Sequence, residues 1–165
     1  TPKPSSAASD VYKRQGVDFL TRVKDTFFKS SFHAGMTSSA FNQMGMIEDI
    51  EDTYFSSFDI GIYKDNIFTN SDSLGAEVYQ PLRSERANIN FSLPVGRTKD
   101  RQILFQNLNL DLTPSGRQIN SQLVYNTKTR NLSFFGKIGL VSNEFHQKES
   151  RLKPYFQFDV ELSLE

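Results

Sequence analysis

The chain has 165 residues and is formally neutral, with 19 basic and 19 acidic side chains. That balance offers no field for gathering nucleic acid or an anionic surface, and the absence of cysteine excludes a disulfide framework and a thiolate metal site. Fifteen Phe and six Tyr are a heavy aromatic load, yet no run approaches the roughly 20 apolar residues of a membrane-spanning helix. Two classes survive: a soluble β-rich domain, or a barrel whose alternating strands never look hydrophobic on average.

In chain order, the first segment stands apart. Ser5 to Gln15 reads SSAASDVYKRQ, which resembles translated sequencing-adapter DNA. Residues 1–15 are therefore expected to be a disordered, non-native leader, with the native sequence starting near Gly16. No apolar stretch of a signal peptide follows Lys13 and Arg14. Val17, Leu20, Val23 and Phe27 fit the spacing of a short amphipathic helix.

From Phe27 onward the period is two, so successive side chains fall on opposite faces of a strand. Phe28, Phe32, Ala34 and Met36 oppose Lys29, His33 and Gly35. Phe58, Ile60 and Ile62 flank Asp59 and Gly61, and Leu74, Ala76 and Val78 oppose Glu77 and Tyr79. Ile89, Phe91, Leu93 and Val95 alternate with Asn88, Asn90, Ser92 and Pro94. Leu104, Leu108, Leu110 and Leu112 oppose Asn107, Asn109 and Asp111. Ile119, Leu123 and Tyr125 oppose Asn120, Gln122 and Asn126. Phe134, Ile138 and Leu140 flank Lys137 and Gly139. Finally Phe156, Phe158, Val160, Leu162 and Leu164 alternate with Gln157, Asp159, Glu161 and Ser163. Turn-like segments lie at residues 96–100, 113–117 and 126–130. The expectation is all-β: an antiparallel meander of about eight strands, hairpin after hairpin, with no helical crossover.

Alternation does not say which solvent meets the apolar face. In a sandwich that face packs on a second sheet, and in a membrane barrel it meets lipid. Amide-rich polar faces, charge-free apolar faces and strands longer than the usual five or six residues favour the barrel. Pro81 and Pro94 weigh against it unless they sit at strand ends or bulges, and loop lengths do not alternate cleanly. In a barrel, Phe58, Ile60, Ile62, Ile89, Phe91, Leu93, Leu108, Leu110, Leu112, Ile119, Leu123, Tyr125, Phe134, Ile138, Leu140, Phe156, Phe158, Val160 and Leu162 face lipid. Asp59, Asn88, Asn90, Asn107, Asn109, Asp111, Asn120, Gln122, Lys137, Gln157, Asp159 and Glu161 face the lumen.

Four elements between Asp59 and Tyr125 carry a resemblance. They are the strand start Asp72-Ser73-Leu74-Gly75, the strand end Gln80-Pro81-Leu82-Arg83, the corner Leu93 to Thr98, and the hairpin Leu110 to Arg117. In this order and at hairpin spacing they resemble the C-terminal translocator β-domain of bacterial autotransporters whose passenger is a subtilisin-like (S8 family) serine protease. The resemblance implies part of a barrel of about 12 strands, with residues 16–165 as a partial β-barrel domain in the bacterial outer membrane. It implies type V secretion: an anchor that assists export of an N-terminal passenger in cis. Its partners would be outer-membrane lipid and the barrel assembly machinery, with no small-molecule substrate and no cofactor. Family members usually finish on an aromatic residue, whereas this chain reads Leu164-Glu165; a clipped terminus, or a signal carried by Phe156 and Phe158, is expected. A soluble β-sandwich or lipocalin-like binding module is the alternative.

Catalytic chemistry is not expected. A serine-protease triad needs Ser, His and Asp in one geometry, and the histidines are His33 and His146. Ser30, Ser31, Ser38 and Asp49 lie near His33 in sequence, but His33 reads as a lumen or loop residue and His146 as part of a solvated charged loop. The acidic run Ile47 to Asp52 lacks the spacing of a calcium loop and reads as a solvated loop. Glu77, Asp111, Asp159 and Glu161 with Lys137 and Arg117 are candidates for lumen ion pairs. The sequons at Asn90 and Asn131 fall in or beside expected strands and read as chance.

Overall fold

The structure, a computed structural model, describes residues 11–38, 45–148 and 151–162. Leader residues 1–10 and the terminal residues Ser163, Leu164 and Glu165 lie outside the described residues. The chain is all-β, with antiparallel sheets and no α-helix among the described residues. The described residues form ten strands: β1 (Val11–Val23), β2 (Thr26–Ser38), β3 (Ile47–Ile50), β4 (Thr53–Asp65), β5 (Asp72–Arg86), β6 (Asn88–Arg97), β7 (Ile103–Asp111), β8 (Ile119–Lys128), β9 (Leu132–Ser142) and β10 (Lys153–Leu162). One short 3₁₀ turn, Glu144–His146, lies between β9 and β10.

All eight expected strands are found, and two more join them. Val11–Val23 is a strand, so the expected helix from Val17 is corrected. Val17, Phe19, Thr21 and Val23 also alternate with a period of two. Their β-branched and aromatic side chains suit a pleated sheet better than a helix. Val11 to Gln15, set aside with the leader, begin this strand. The acidic run is the second correction. Ile47–Ile50 forms β3 rather than a loop.

The strand order departs from a simple meander. One sheet has seven strands in the order β1-β2-β4-β5-β8-β9-β10, and a second has three in the order β3-β6-β7. The reason lies in three interruptions. Ala87 separates β5 from β6, Glu51 and Asp52 separate β3 from β4, and residues 112–118 separate β7 from β8. Within each sheet these strands keep chain order, β4-β5-β8 in one and β3-β6-β7 in the other. Apolar parity changes across Ala87, from even in β5 (Leu74, Ala76, Val78) to odd in β6 (Ile89, Phe91, Leu93). A parity change inverts which side chains share a face, as one extra residue does at a bulge. Among the described residues no closed barrel is found; β1 and β10 are the ends of the seven-stranded order.

By contact density the chain divides into two units. The first takes the described residues of Thr1–Gln15, Ala34–Ser56 and Ser84–Thr113. It contains the three-stranded sheet, in which Ile47 lies opposite Phe91 and Ile50 opposite Ile89. Across β6 and β7, Phe91 opposes Leu108, Asn90 opposes Asn109 and Ser92 opposes Asn107. The register shifts between Pro94 and Gly96, so Pro94 sits at a bulge, where a missing N–H is tolerated. Phe55 is buried here. Its ring stacks on Tyr12 with centroids 5.2 Å apart, and its Cε2 lies 2.6 Å from where a Cβ on Gly35 would be.

The second unit takes the described residues of Gly16–His33, Ser57–Arg83 and Pro114–Glu165. Its rows run across four strands: Ala76 opposes Leu123, Leu123 opposes Ile138, and Ile138 opposes Phe156. The neighbouring row, on the other face, sets Glu77 opposite Gln122 and Gln122 opposite Gly139, with Tyr155 beyond it. Pro81 lies past Tyr79–Asn120, the last β5–β8 pair, so it removes no hydrogen bond from that ladder.

Candidate functional site

The chemistry of the second unit is divided between the two faces of its sheet. In the second unit, direct opposition across an antiparallel ladder puts partners on the same side. Leu74, Ala76, Val78, Leu123, Tyr125, Phe134, Ile138, Leu140, Phe156, Phe158 and Val160 therefore share one face. Ile60 and Ile62 on β4 are exposed as well. Large apolar groups on this face stay open: Ile138 is 61% exposed and Phe156 73%. The phenyl ring of Phe158 lies tilted against those of Phe134 and Phe156, with centroids 6.3 Å and 5.7 Å apart. Phe55 and Ala87 are the buried hydrophobic residues among those described.

The opposite face is polar and tied together. Gln122 donates its amide to Glu77, and the Tyr155 hydroxyl donates to Gln122 Oε1. Lys29 Nζ pairs with Asp59 at 3.1 Å, and Lys137 lies opposite Gln157. Gln157 in turn donates to Asp159 at 2.9 Å. Asn120 is buried and accepts from Gln118 at 3.0 Å. Three glycines make room for rings here. Gly61 and Gly75 lie beneath Tyr63 and Gly139 beneath Tyr155, whose Cζ would be 2.7 Å from a Cβ at residue 139.

Two of the candidates for lumen ion pairs have hydrogen-bond partners on this sheet. Arg117 donates to the buried Gln80, and Glu77 takes the Gln122 amide. Arg83, named in the sequence only as the end of the Gln80–Arg83 element, donates to the carbonyls of Gly116 at 2.8 Å and Pro114 at 2.9 Å. His146 is a correction. It is not a solvated loop residue, because its Nδ1 accepts the Gln118 N–H at 3.0 Å and its Nε2 lies 3.0 Å from the Leu82 carbonyl. Its place in a short turn with left-handed Asn143, Phe145 and His146 was not readable from composition. His33 Nε2 lies 3.6 Å from Asp18, on the neighbouring strand β1.

Asp72 is the clearest site-like group that sequence reasoning took only as part of a motif. Its buried carboxylate accepts the amides of Ile67 at 2.8 Å, Phe68 at 3.0 Å and Thr69 at 3.1 Å, and the Tyr125 hydroxyl at 3.2 Å. The ligand of that amide nest is already supplied by the chain, so it organises the β4–β5 turn. In the first unit the amide face of the three-stranded sheet carries Asn90, Asn107 and Asn109, and Asn109 donates to Asn90 at 2.6 Å. The acidic run is likewise engaged. Glu51 accepts from Arg86 at 2.8 Å and Asn88 at 3.0 Å. These bonds, that from Asn88 foremost, hold its carboxyl below the ordinary carboxylate range.

Among the described residues no group of three or more His, Asp or Glu side chains is placed to hold a metal ion. No family model, no curated protein and no solved structure matches the chain.

Proposed function

We propose that this chain is an outer-membrane translocator segment of an autotransporter, which anchors in lipid and assists export of an N-terminal passenger, a serine protease. The observation that carries the reading is the exposed apolar face described above. It is free of charge over its central rows, and the chain buries almost no apolar side chains among its described residues. A soluble domain of this length hides its large aliphatic groups in a core. A barrel wall shows them to hydrocarbon, where one charge costs about 2–4 kcal/mol at the midplane. The tied polar face suits a lumen, whose groups need internal partners. The four-element resemblance between Asp59 and Tyr125 supplies the autotransporter part of the reading. The role needs no catalytic residue. Outer-membrane lipid and the barrel assembly machinery are its partners, and the bacterial outer membrane is its location.

The test is extraction. The full chain is expressed with an export signal, and the membranes are washed with carbonate and with urea. Retention in the membrane is the expected outcome. A chain released into the wash, or one that stays monodisperse in buffer without detergent, belongs instead to a soluble β-sandwich or lipocalin-like class. The passenger is tested by reading the gene upstream of Gly16, where a Gly-Thr-Ser nucleophile motif is expected.

A further inference from the structure

We propose that the outer edge of β7 is a pairing site for the β7 of a second copy of this chain. Among the described residues this strand is the last of the order β3-β6-β7, bonded to β6 on one side only. All nine of its residues are exposed. An edge strand directs alternate N–H and C=O groups outward, ready to template another strand.

The other free edges are protected and this one is not. β1 carries Lys13, Arg14, Asp18 and Arg22, β3 carries Glu48 and Asp49, and β10 carries Pro154, Asp159 and Glu161. Charges and proline are the usual devices that stop edge-to-edge association. From Ile103 to Leu110, β7 reads ILFQNLNL, without charge, proline or glycine. Neither solvent suits that edge left open. In water it is an unguarded template, and in hydrocarbon each unpaired backbone group costs several kcal/mol. The inference therefore holds whichever medium meets the sheet.

The occupant follows from self-complementarity. An antiparallel pair with its two-fold axis at Asn107 sets Asn107 opposite Asn107. Leu104 then opposes Leu110, and Gln106 opposes Leu108, all on one face. Phe105 opposes Asn109 on the other. No charges meet. The β6–β7 ladder already pairs the same chemistry, with Phe91 against Leu108, Leu93 against Gln106 and Ser92 against Asn107. The two-fold axis leaves both apolar faces on one side, so the two three-stranded sheets merge into one.

The absence of cysteine makes the test clean. Asn107→Cys and, as a control in the β6–β7 turn, Lys99→Cys are introduced singly into the full chain. Opposed residues on antiparallel strands have Cα atoms about 4.5–5.5 Å apart, within disulfide reach. Under mild oxidation Asn107→Cys is expected to form a covalent dimer and Lys99→Cys is not. In sedimentation the parent chain is expected to run as a dimer, and Asn107→Lys, which sets like charges face to face, as a monomer. Equal crosslinking at both cysteines, or none at residue 107, overturns the proposal. So does a monomeric parent chain, whether its edge stays open or is capped by another segment of the same chain.

Discussion

The ring of Tyr63 fills the space above Gly75, so that a Cβ at residue 75 would lie 2.7 Å from Tyr63 Cε1. The same ring bounds Gly61 on its own strand. The glycine is thus a socket: the missing side chain lets an aromatic residue of β4 lie flat on the polar face of the sheet. Gly75→Val is expected to destabilise the refolded chain by about 1–3 kcal/mol, the usual effect of overpacking. Combined with Tyr63→Ala, the loss should fall well short of the sum, because the clash goes with the ring. A urea titration of the four species measures this, and simple additivity would refute the coupling.

Asp72 fixes the turn before β5 by accepting three consecutive amides. Asp72→Ala removes the charged acceptor of three turn amides and is expected to cost about 1.5–3 kcal/mol. Hydrogen exchange at Ile67, Phe68 and Thr69 should accelerate, while amides of β9 remain slow. Unchanged exchange at these three positions would remove the carboxylate from the turn's stability.

On the polar face, Tyr155→Phe keeps the ring over Gly139 and deletes the hydroxyl that reaches Gln122. The expected loss is about 0.5–1.5 kcal/mol. Tyr155→Ala should cost more, since the space over Gly139 is then empty. Equal losses for the two variants would mean that packing of the ring contributes nothing.

Glu51 gives acid sensitivity with a defined sign. Its folded-state carboxyl is held below the ordinary value, first by Asn88 and then by Arg86. Its contribution to stability is therefore present above the unfolded-state pKa and lost as pH falls through the depressed folded value. Denaturation midpoints of the parent chain and Glu51→Gln should differ at neutral pH and converge in acid. A difference that persists undiminished at low pH would place the effect elsewhere.

The two faces of the sheet should answer oppositely to charge in a bilayer. Ile138→Arg on the apolar face is expected to lower stability in lipid vesicles by about 2–4 kcal/mol. Gln157→Glu, opposite Lys137 on the other face, should be nearly neutral. Reversed tolerances would put the polar face against lipid and sink the membrane reading.

Much of this was legible in the residues because a strand has a period of two. Phe156, Phe158 and Val160 can share a face only in an extended chain, and that alone set the fold class and the two faces. The same logic made Val17–Val23 ambiguous, since Val17, Leu20 and Val23 also fit a helical spacing and only neighbouring strands choose between the two. Glu51 read as part of an acidic loop because its partners, Arg86 and Asn88, lie far along the chain. His146 was misplaced for the same reason, since its contacts are to Gln118 and Leu82.

The sequence by itself determined what is local: alternation, turn chemistry, the absence of cysteine, and the charge-free run in β7. Only the tertiary structure decided which strands are neighbours. That β5 pairs with β8, that β3, β6 and β7 form a sheet of their own, and that Gly75 lies beneath Tyr63 all depend on register. Register joins residues far apart in the chain, as Ile50 opposite Ile89 and Leu74 opposite Tyr125 do, so neither composition nor a window of neighbouring residues reveals it.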